Sequence, residues 1–511
     1  MARVKQGIEA REALLQGACQ LAKAVGVTYG PRGRTCFLQR LSGLLVTKDG
    51  VSIARELTFS DPNENLGAAM LKTACIKVND EVGDGTTTTA LLAAALLREG
   101  HKQIIAGADI NTLCQELQRD AFLVEQLLRG LSSPIQSQEQ LQHLALVASN
   151  GDMEIASVLA EAAMAVGQYG TILIEEGLST DVSLEFKEGM ELNRGPIKES
   201  SLRGQLERSL DGPLVAVLGS ELSSLSDVQG FLEAAAQWAP RELLIFAPAI
   251  WGEALATLLL NDQKKVAQNV ALQCPGYGHL RQSYLKDIAA LTGATFVSRE
   301  TGLSHKAWKP EWFGAVRSAT VREKVTTLIA YEDKTEGLQN YLKTLQKEAD
   351  QATSDFDRDQ LQERMAKLSG GLAVVKVGGV TESSRKERRA RVEDTLAAIR
   401  AALRAGIVPG GGVALLWAAK ELGADFDLLK KILGEPLQRL VGEPGCRERL
   451  LACWEKEPNP WLGWDVRQGC IRDFRSEPLL ADPTEVPIAA LRAAVSVSTM
   501  LLKVEVAITK R

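Results

Sequence analysis

The order of textures along this chain limits its fold more than any single motif does. From Gly7 to about Gly107 the periodicity is helical, broken only by the extended pieces Cys36-Phe37-Leu38-Gln39 and Leu44-Leu45-Val46-Thr47, which read as a hairpin. Amphipathic helical sequence continues over 109–160 with Pro134 as a break, and Gly170-Thr-Ile-Leu-Ile and Val182-Ser-Leu-Glu-Phe then read as strands. Between about 189 and 376, apolar strands at 214–218, 243–247, 269–273 and 294–298 alternate with helices around 226–238, 252–265 and 280–292. A charged stretch from Thr335 to Lys367 reads as an exposed helical hairpin, with Ser354-Asp355 ending one helix and capping the next. A strand at 373–377 leads into Gly378-Gly379, and the remaining C-terminal sequence is helical again. The textures are therefore nested. Such nesting predicts that the first and last segments build one domain and that the middle is carried on two-stranded connections.

With 511 residues there is room for roughly three domains. Only 5% of residues are aromatic while 45% are hydrophobic, so the interiors should be packed Leu, Ala and Val. A net charge of −5 gives no electrostatic reason to expect nucleic acid or an anionic membrane as partner. The basic run Arg385-Lys386-Glu387-Arg388-Arg389 contains acid and reads as a solvated helix face. Eight cysteines without a CxxC pair fit a reducing, cytoplasmic setting. The longest apolar run, Ala90 to Leu97, is too short to span a bilayer, and the charged N-terminal segment lacks an apolar signal core. His101, His143, His279 and His305 are scattered, which leaves little material for a histidine zinc site or a Ser-His-Asp triad.

The chemistry concentrates in EVGDGTTTTALL, residues 81–92. The first turn of a helix exposes unpaired amides and partial positive charge, and Gly-Asp-Gly lets the backbone approach an anion. Thr86, Thr87 and Thr88 would add hydroxyl donors to phosphate oxygens, and Asp84 could hold Mg²⁺ with water and phosphate completing the shell. The competing reading makes Asp84 a simple N-cap and the threonines a weak helix start. Two further glycine turns, Thr28-Tyr-Gly-Pro-Arg-Gly-Arg and Val408-Pro-Gly-Gly-Gly-Val, adjoin helices. Neither a GxxxxGK[ST] motif nor a strand-linked GxGxxG is present, so ordinary P-loop and dinucleotide folds are disfavoured. Carboxylates at Asp49, Asp394 and Asp482 complete the candidates; each alone reads as a capping or surface acid.

In order, these segments resemble the group I chaperonins, the GroEL/Hsp60 family, over essentially the full length. The resemblance rests on TYGPRGRT, TKDGVSIARE, ENLGAAMLK, NDEVGDGTTTTALL, GEALATLLLN, ATSDFDRDQLQERMAKLSGG, ERRARVEDTL, AGIVPGGGVALL and LADPTEVPIAAL, nine collinear matches. It implies a multidomain α+β/α chaperonin architecture: a mainly helical equatorial ATPase domain at 1–133 and 406–511, a small α/β intermediate domain at 134–188 and 377–405, and an α/β apical domain at 189–376. It further implies an ATP-driven folding activity with Mg²⁺, and K⁺ as a further candidate ion. Thr28, Gly30 and Pro31 would lie near the phosphates, Lys48 and Asp49 at the attacking-water side, Asp84 on Mg²⁺, and Gly85, Thr86, Thr87 and Thr88 around the phosphate chain. Gly411 and Asp482 would flank the nucleoside, and Asp394 would orient or deprotonate the water. Hinges are expected at Pro134, Gly189, Gly378-Gly379 and Gly406.

Implied partners are non-native polypeptides held by Leu232 beside Phe231 and by Leu255, Leu259 and Leu260, a co-chaperonin of the GroES type, and identical subunits in a heptameric ring. The leucines read equally as core residues, because periodicity does not separate the two. The chain departs from the family pattern at Pro196, Ser200 and Ser201, where apolar contacts are expected, in a shortened 420–462 segment, at Asp465 in place of a neutral amide, and in lacking a Gly-Met-rich tail. A second expectation follows from these departures: a divergent paralogue acting as a specialised binding or scaffold protein.

Overall fold

The computed structural model describes residues 2–40, 43–167, 170–177, 179–187, 189–238, 241–276, 278–331, 335–352, 354–369, 371–423, 426–476 and 478–510. The chain divides into two compact units. Met1–Glu161, Leu178–Val182 and Val377–Arg511 form the first, and Ala162–Gly177 with Ser183–Lys376 the second. The outer segments thus share one body, as the nested textures predict.

The first unit is built on the helices Gly7–Val25, Pro62–Val82, Thr86–Ile105, Ile110–Leu131 and Glu485–Leu502. Small residues let the first two meet backbone to backbone: a Cβ on Gly17 would fall 1.8 Å from the Glu64 carbonyl oxygen, and one on Gly67 1.9 Å from that of Leu14. Asp61 starts the Pro62 helix by accepting from the amides of Asn63 and Glu64 at 2.7 and 3.2 Å, with proline at the position where no amide is needed. The Glu485 helix is long and apolar enough to cross a membrane, yet 72% of it is buried against its neighbours, the signature of a core helix. Helix Glu382–Ala405 also belongs to this unit; Thr381 caps its start and Gly406, at φ +78°, follows its last turn.

Several strands in this unit escape the helical reading of its ends. Ala2–Gln6 pairs antiparallel with Val506–Lys510, joining the two ends of the chain, with Val4 opposite Ile508. Ile407–Pro409 pairs with Ala481–Pro483, and Leu462–Asp465 with Cys470–Asp473. Strands of three to five residues are too short to establish a period, and their pairing partners lie far away or across a tight turn. The predicted hairpin is present as Cys36–Arg40 and Gly43–Thr47. All eight cysteines are free thiols.

The second unit contains a sheet ordered Asn269–Gln273, Leu243–Ala247, Leu214–Leu218 and Phe296–Val297, all parallel, with Gly314–Ala315 antiparallel against the Leu214 strand. The Leu214 and Leu243 strands are buried throughout, which is why they read as unbroken apolar runs. Of the strand expected at 294–298, only Phe296–Val297 forms. The helices are Leu225–Ala236, Gly252–Gln263 and Gly278–Thr292. A second, antiparallel sheet, Gly189–Leu192, Thr326–Ile329, Ser318–Arg322 and Glu207–Asp211, is missed by the sequence reading because polar residues interrupt its strands. A third sheet orders Thr171–Glu176, Leu372–Val377 and Val182–Lys187.

The charged hairpin forms as helices Thr335–Gln351 and Asp355–Ser369, but it is not simply exposed. Arg364 is buried and donates to both carboxylate oxygens of Asp287 at 2.9 and 2.7 Å, and the Tyr341 hydroxyl donates to Asp287 at 2.9 Å. An arginine at helical spacing among charged residues gives no sign that its partner lies 77 positions away.

Candidate functional site

Helix Thr86–Ile105 begins at Gly85, whose φ of +90° is a conformation that glycine adopts without strain. Gly85 has no side chain to cap the helix. Asp84 accepts from the Gly85 amide at 2.6 Å, and the first amide bonded within the helix is that of Thr89, to the Gly85 carbonyl at 2.8 Å. The amides of Thr86, Thr87 and Thr88 therefore stand at an uncapped helix start, and the reading of Asp84 as a cap for that turn does not hold. The Thr86 hydroxyl is buried without a hydrogen-bond partner. Thr89 differs from its neighbours: its hydroxyl, fully buried, donates to the Gly85 carbonyl at 2.9 Å.

The hairpin end brings a second short helix beside the first. Asp49 caps helix Gly50–Glu56, accepting from Val51 at 3.1 Å and from Ser52 at 2.7 Å, so this carboxylate is fixed in orientation. Lys48 is exposed. A Cβ on Gly50 would lie 2.8 Å from the Thr87 hydroxyl oxygen and 3.6 Å from that of Thr28, which places both hydroxyls around one bare backbone position. The Thr28 hydroxyl donates to the Val25 carbonyl at 2.8 Å.

Asp394 reaches this region from the long helix Glu382–Ala405. The Asn79 side-chain amide donates to it at 3.2 Å, and a Cβ on Gly83 would fall 2.5 Å from the Asp394 carbonyl oxygen and 2.5 Å from the Ala397 Cβ. Only glycine, here at φ +73°, lets that helix pack so close to the turn. Burial pushes the Asp394 carboxyl up to about 6, against the Asn79 hydrogen bond and with help from the negative charges of Asp49 and Asp84. Asp84 is exposed, yet the protein crowded around its carboxyl group raises its pKa by desolvation, against the Gly85 amide hydrogen bond and with help from the charge of Asp49.

At the far side, Asp482 accepts from the Gly411 amide at 3.1 Å, and burial, followed by the charge of Asp84, pushes its carboxyl up to about 7. Gly30 and Gly411, both at positive φ, face one side chain: a Cβ would come 2.0 Å from Leu440 Cδ1 at Gly30 and 3.1 Å from Leu440 Cδ2 at Gly411. Pro31 is exposed on the same turn. The structure thus collects Thr28, Gly30, Asp49, Asp84 to Thr88, Asp394, Gly411 and Asp482 around one uncapped helix. It adds Tyr29, Asn79 and Leu440, which sequence reasoning missed. Tyr29 lies inside TYGPRGRT and Asn79 inside NDEVGDGTTTTALL, whereas no local signal points to Leu440.

Four carboxylates, Asp49, Asp84, Asp394 and Asp482, thus stand near the free amides and hydroxyls of the helix start. Among the described residues, no three carboxylate, cysteine or histidine side chains converge closely enough to hold a metal ion alone. The single carboxylate of Asp84 at the mouth of the turn fits the donor set of Mg²⁺, which is commonly bound by one or two carboxylates together with phosphate oxygens and water. The unpartnered Thr86 hydroxyl and the glycine turn fit a phosphate chain in the same way.

Asp465 is withdrawn from any ligand role. It is buried, accepts from the amides of Arg467 and Gln468 at 2.8 and 3.2 Å and from Arg472 Nε at 2.8 Å, and so fixes its own hairpin turn. These bonds hold its pKa below the usual carboxylate range despite the opposing effect of burial.

In the second unit, Leu232, Leu255 and Leu259 are half-buried, and Leu232 and Leu255 pack on the core that includes Phe231 and Leu258. Phe231 is fully buried and offers no outer surface, contrary to its expected place beside Leu232. Leu260 is 49% exposed, as is Trp251 at 57% at the start of the same helix. Ser201 is interior, its carbonyl accepting from Arg208, and Pro196 bridges to Leu272. Ser201 therefore does not stand as a polar replacement on an open apolar surface, whereas Pro196 is half-buried; the Ser200 side chain lies outside the described residues.

Comparison with known proteins adds the following. A family model described as the TCP-1/cpn60 chaperonin family matches residues 21–236 and 256–430. Among solved structures, the chaperonin gp146 from the bacteriophage EL 2 (Pseudomonas aeruginosa), crystallised in the presence of ATP-BeFx, is similar in two crystal forms. The TM-scores are 0.74 and 0.68, with 21% identity and 99% of each chain covered in both. At that identity the likeness establishes the shared fold.

Proposed function

Because this chain belongs to the TCP-1/cpn60 chaperonin family, we propose that it is an ATP-dependent chaperonin that binds non-native polypeptides and promotes their folding in a ring chamber. The observation that supports this reading best is the uncapped, hydroxyl-lined start of helix Thr86–Ile105, with Asp84 at its mouth and Asp394 beside it. The family as a whole functions in chaperoning.

In this reading the amides and hydroxyls of Gly85 to Thr88, with Thr28, Gly30, Pro31 and Lys48, hold the phosphates, while Gly411 and Asp482 flank the nucleoside. Asp84 would hold Mg²⁺, whose positive charge would offset that of the phosphates and the repulsion among the carboxylates; K⁺ is a further candidate. Asp49, fixed by its capping bonds, orients the attacking water. Asp394, its pKa raised to about 6, accepts the proton. A base with that pKa is ionised at pH 7 and remains basic enough to take a proton.

The domain reading is equatorial over 1–133 and 406–511, intermediate over 134–188 and 377–405, and apical over 189–376, with clients taken up at Leu232, Leu255, Leu259 and Leu260. A heptameric homo-oligomeric ring, a GroES-type co-chaperonin and a cytoplasmic location belong to the same proposal. A specialised binding or scaffold role is favoured by one observation: of those four leucines, only Leu260 is openly exposed.

The test is Mg-ATP binding and hydrolysis by the wild type, Asp84→Ala and Asp394→Ala. Asp84→Ala should weaken Mg-ATP binding. Asp394→Ala should keep binding and ring formation while turnover falls by about 10²–10⁴-fold. Unchanged turnover in Asp394→Ala would remove the catalytic assignment.

A further inference from the structure

Away from the candidate nucleotide site, the ends of four helices of the first unit enclose a cavity of about 490 Å³. Helix Pro62–Val82 ends on it with Glu81 and Val82, helix Ile110–Leu131 with Arg129, and helix Glu382–Ala405 with Arg404 and Ala405, while Glu485 begins helix Glu485–Leu502 on the same wall. One corner is pinned by the Ser132 hydroxyl, which donates to the Ala405 carbonyl at 2.5 Å and lies 2.8 Å from the Thr484 hydroxyl. Arg129 and Glu485 close on each other at 2.7 and 3.5 Å. Arg492, whose charge also reaches Glu81, is held by both carboxylate oxygens of Glu125 at 3.2 and 2.7 Å. That leaves Glu81 and Arg404. Both are exposed on the cavity wall, and neither forms a hydrogen bond or an ion pair with any described residue.

Ligand pockets commonly enclose about 300–1,000 Å³, so this cavity has room for an organic molecule rather than a bare ion. Its wall carries two guanidiniums and two carboxylates, which cancel formally. A lone anion beside Arg404 would also face the carboxylate of Glu81, and a lone cation beside Glu81 would face Arg404. A molecule with one ammonium and one carboxylate satisfies both groups at once. Three helices end here, and the partial negative charge of their last turns favours the ammonium, whereas the planar fork of Arg404 matches a carboxylate. Val82 and Ala405 supply apolar wall for the body of the ligand.

We propose that this cavity binds a small zwitterion of the amino-acid or dipeptide type, with its ammonium on Glu81 and its carboxylate on Arg404. The site is separate from the nucleotide reading and does not depend on it. Free amino acids and short peptides present the same two end groups, and the length between those groups decides which fits better.

The experiment is calorimetric titration of the nucleotide-free, full-length wild type, Glu81→Gln and Arg404→Gln with leucine, with glycylleucine, and with glycylleucine blocked either by N-acetylation or by C-terminal amidation. The wild type should bind leucine or glycylleucine saturably below about 10 mM. Each blocked form, and each variant, should bind about tenfold or more weakly, because a charge-assisted hydrogen bond is lost. The residual affinity of Glu81→Gln should no longer distinguish glycylleucine from its N-acetyl form, and that of Arg404→Gln should no longer distinguish it from the amide, because ligand and protein changes remove the same contact. Tighter binding of leucine assigns the site to free amino acids and tighter binding of glycylleucine assigns it to short peptides; either supports it. The blocked ligands test the wild type even if a variant fails to fold. Absence of saturable binding by the wild type, equal binding of blocked and unblocked ligands, or binding by both variants within twofold of wild type overturns the proposal.

Discussion

Replacing Asp394 by asparagine isolates the charge of the carboxylate from its shape. Asparagine keeps the volume and an oxygen that accepts from Asn79, so what changes is the ionisation. The folded-state pKa of about 6 stands above the unfolded value of 3.8, so the carboxylate opposes folding once it ionises. Below pH 3.8 both states are protonated and there is no penalty. The penalty grows as pH rises between 3.8 and about 6 and is complete above that. A rise from 3.8 to about 6 corresponds to about 3 kcal/mol. Reorientation of the Asn79 amide and relaxation around Asp49 and Asp84 reduce this to about 1.5 kcal/mol, or about 2 °C in Tm for a body of the size of the first unit. Differential scanning calorimetry of the nucleotide-free protein should therefore show Asp394→Asn melting higher than wild type at pH 8, with roughly half the gain at pH 5. A gain that is equal at both pH values, or a loss at pH 8, would mean that the carboxylate is not under like-charge and burial stress, and the electrostatic picture of the site would be wrong.

Other perturbations probe separate parts of the structure. Gly83→Ala places a Cβ 2.5 Å from two atoms of the Asp394 helix, so turnover should fall by about tenfold or more while a Gly107→Ala control, also at positive φ but with open space around it, keeps normal turnover. Thr89→Val removes a buried internal hydrogen bond and should cost about 1 kcal/mol in denaturant unfolding, leaving the KM for ATP unchanged. Leu260→Ser should lower capture of an unfolded client several-fold in a light-scattering assay, with ATPase rate intact; unchanged capture would place the client surface elsewhere, with exposed Trp251 the next candidate.

Much of the architecture is legible in the sequence because it rests on periods long enough to read. The Gly252 helix and the strands at 214–218, 243–247 and 269–273 are predicted close to their observed bounds. The four-stranded antiparallel sheet is missed because polar residues break its apolar pattern, and the pairing of Ala2–Gln6 with Val506–Lys510 joins residues at opposite ends of the chain. The charged hairpin looks exposed until Asp287 supplies a buried partner for Arg364. At the site, glycines and carboxylates mark themselves through local motifs. Leu440 does not, since it meets Gly30 and Gly411 only after the chain has folded. Asp465 shows the converse: a residue that looks like a lost ligand is committed to its own turn.

In the proposed cycle, nucleotide turnover at the Thr86 helix drives release and folding of a bound polypeptide. Recovery of activity by a chemically denatured client enzyme, incubated with the purified protein and Mg²⁺ with either ATP or no nucleotide, in the presence and absence of a GroES-type co-chaperonin, measures this directly. The wild type should capture the client without nucleotide and give a severalfold rise in recovered activity with ATP that Asp394→Ala abolishes. Equal recovery with and without ATP under every condition, despite normal ATP hydrolysis, would contradict it.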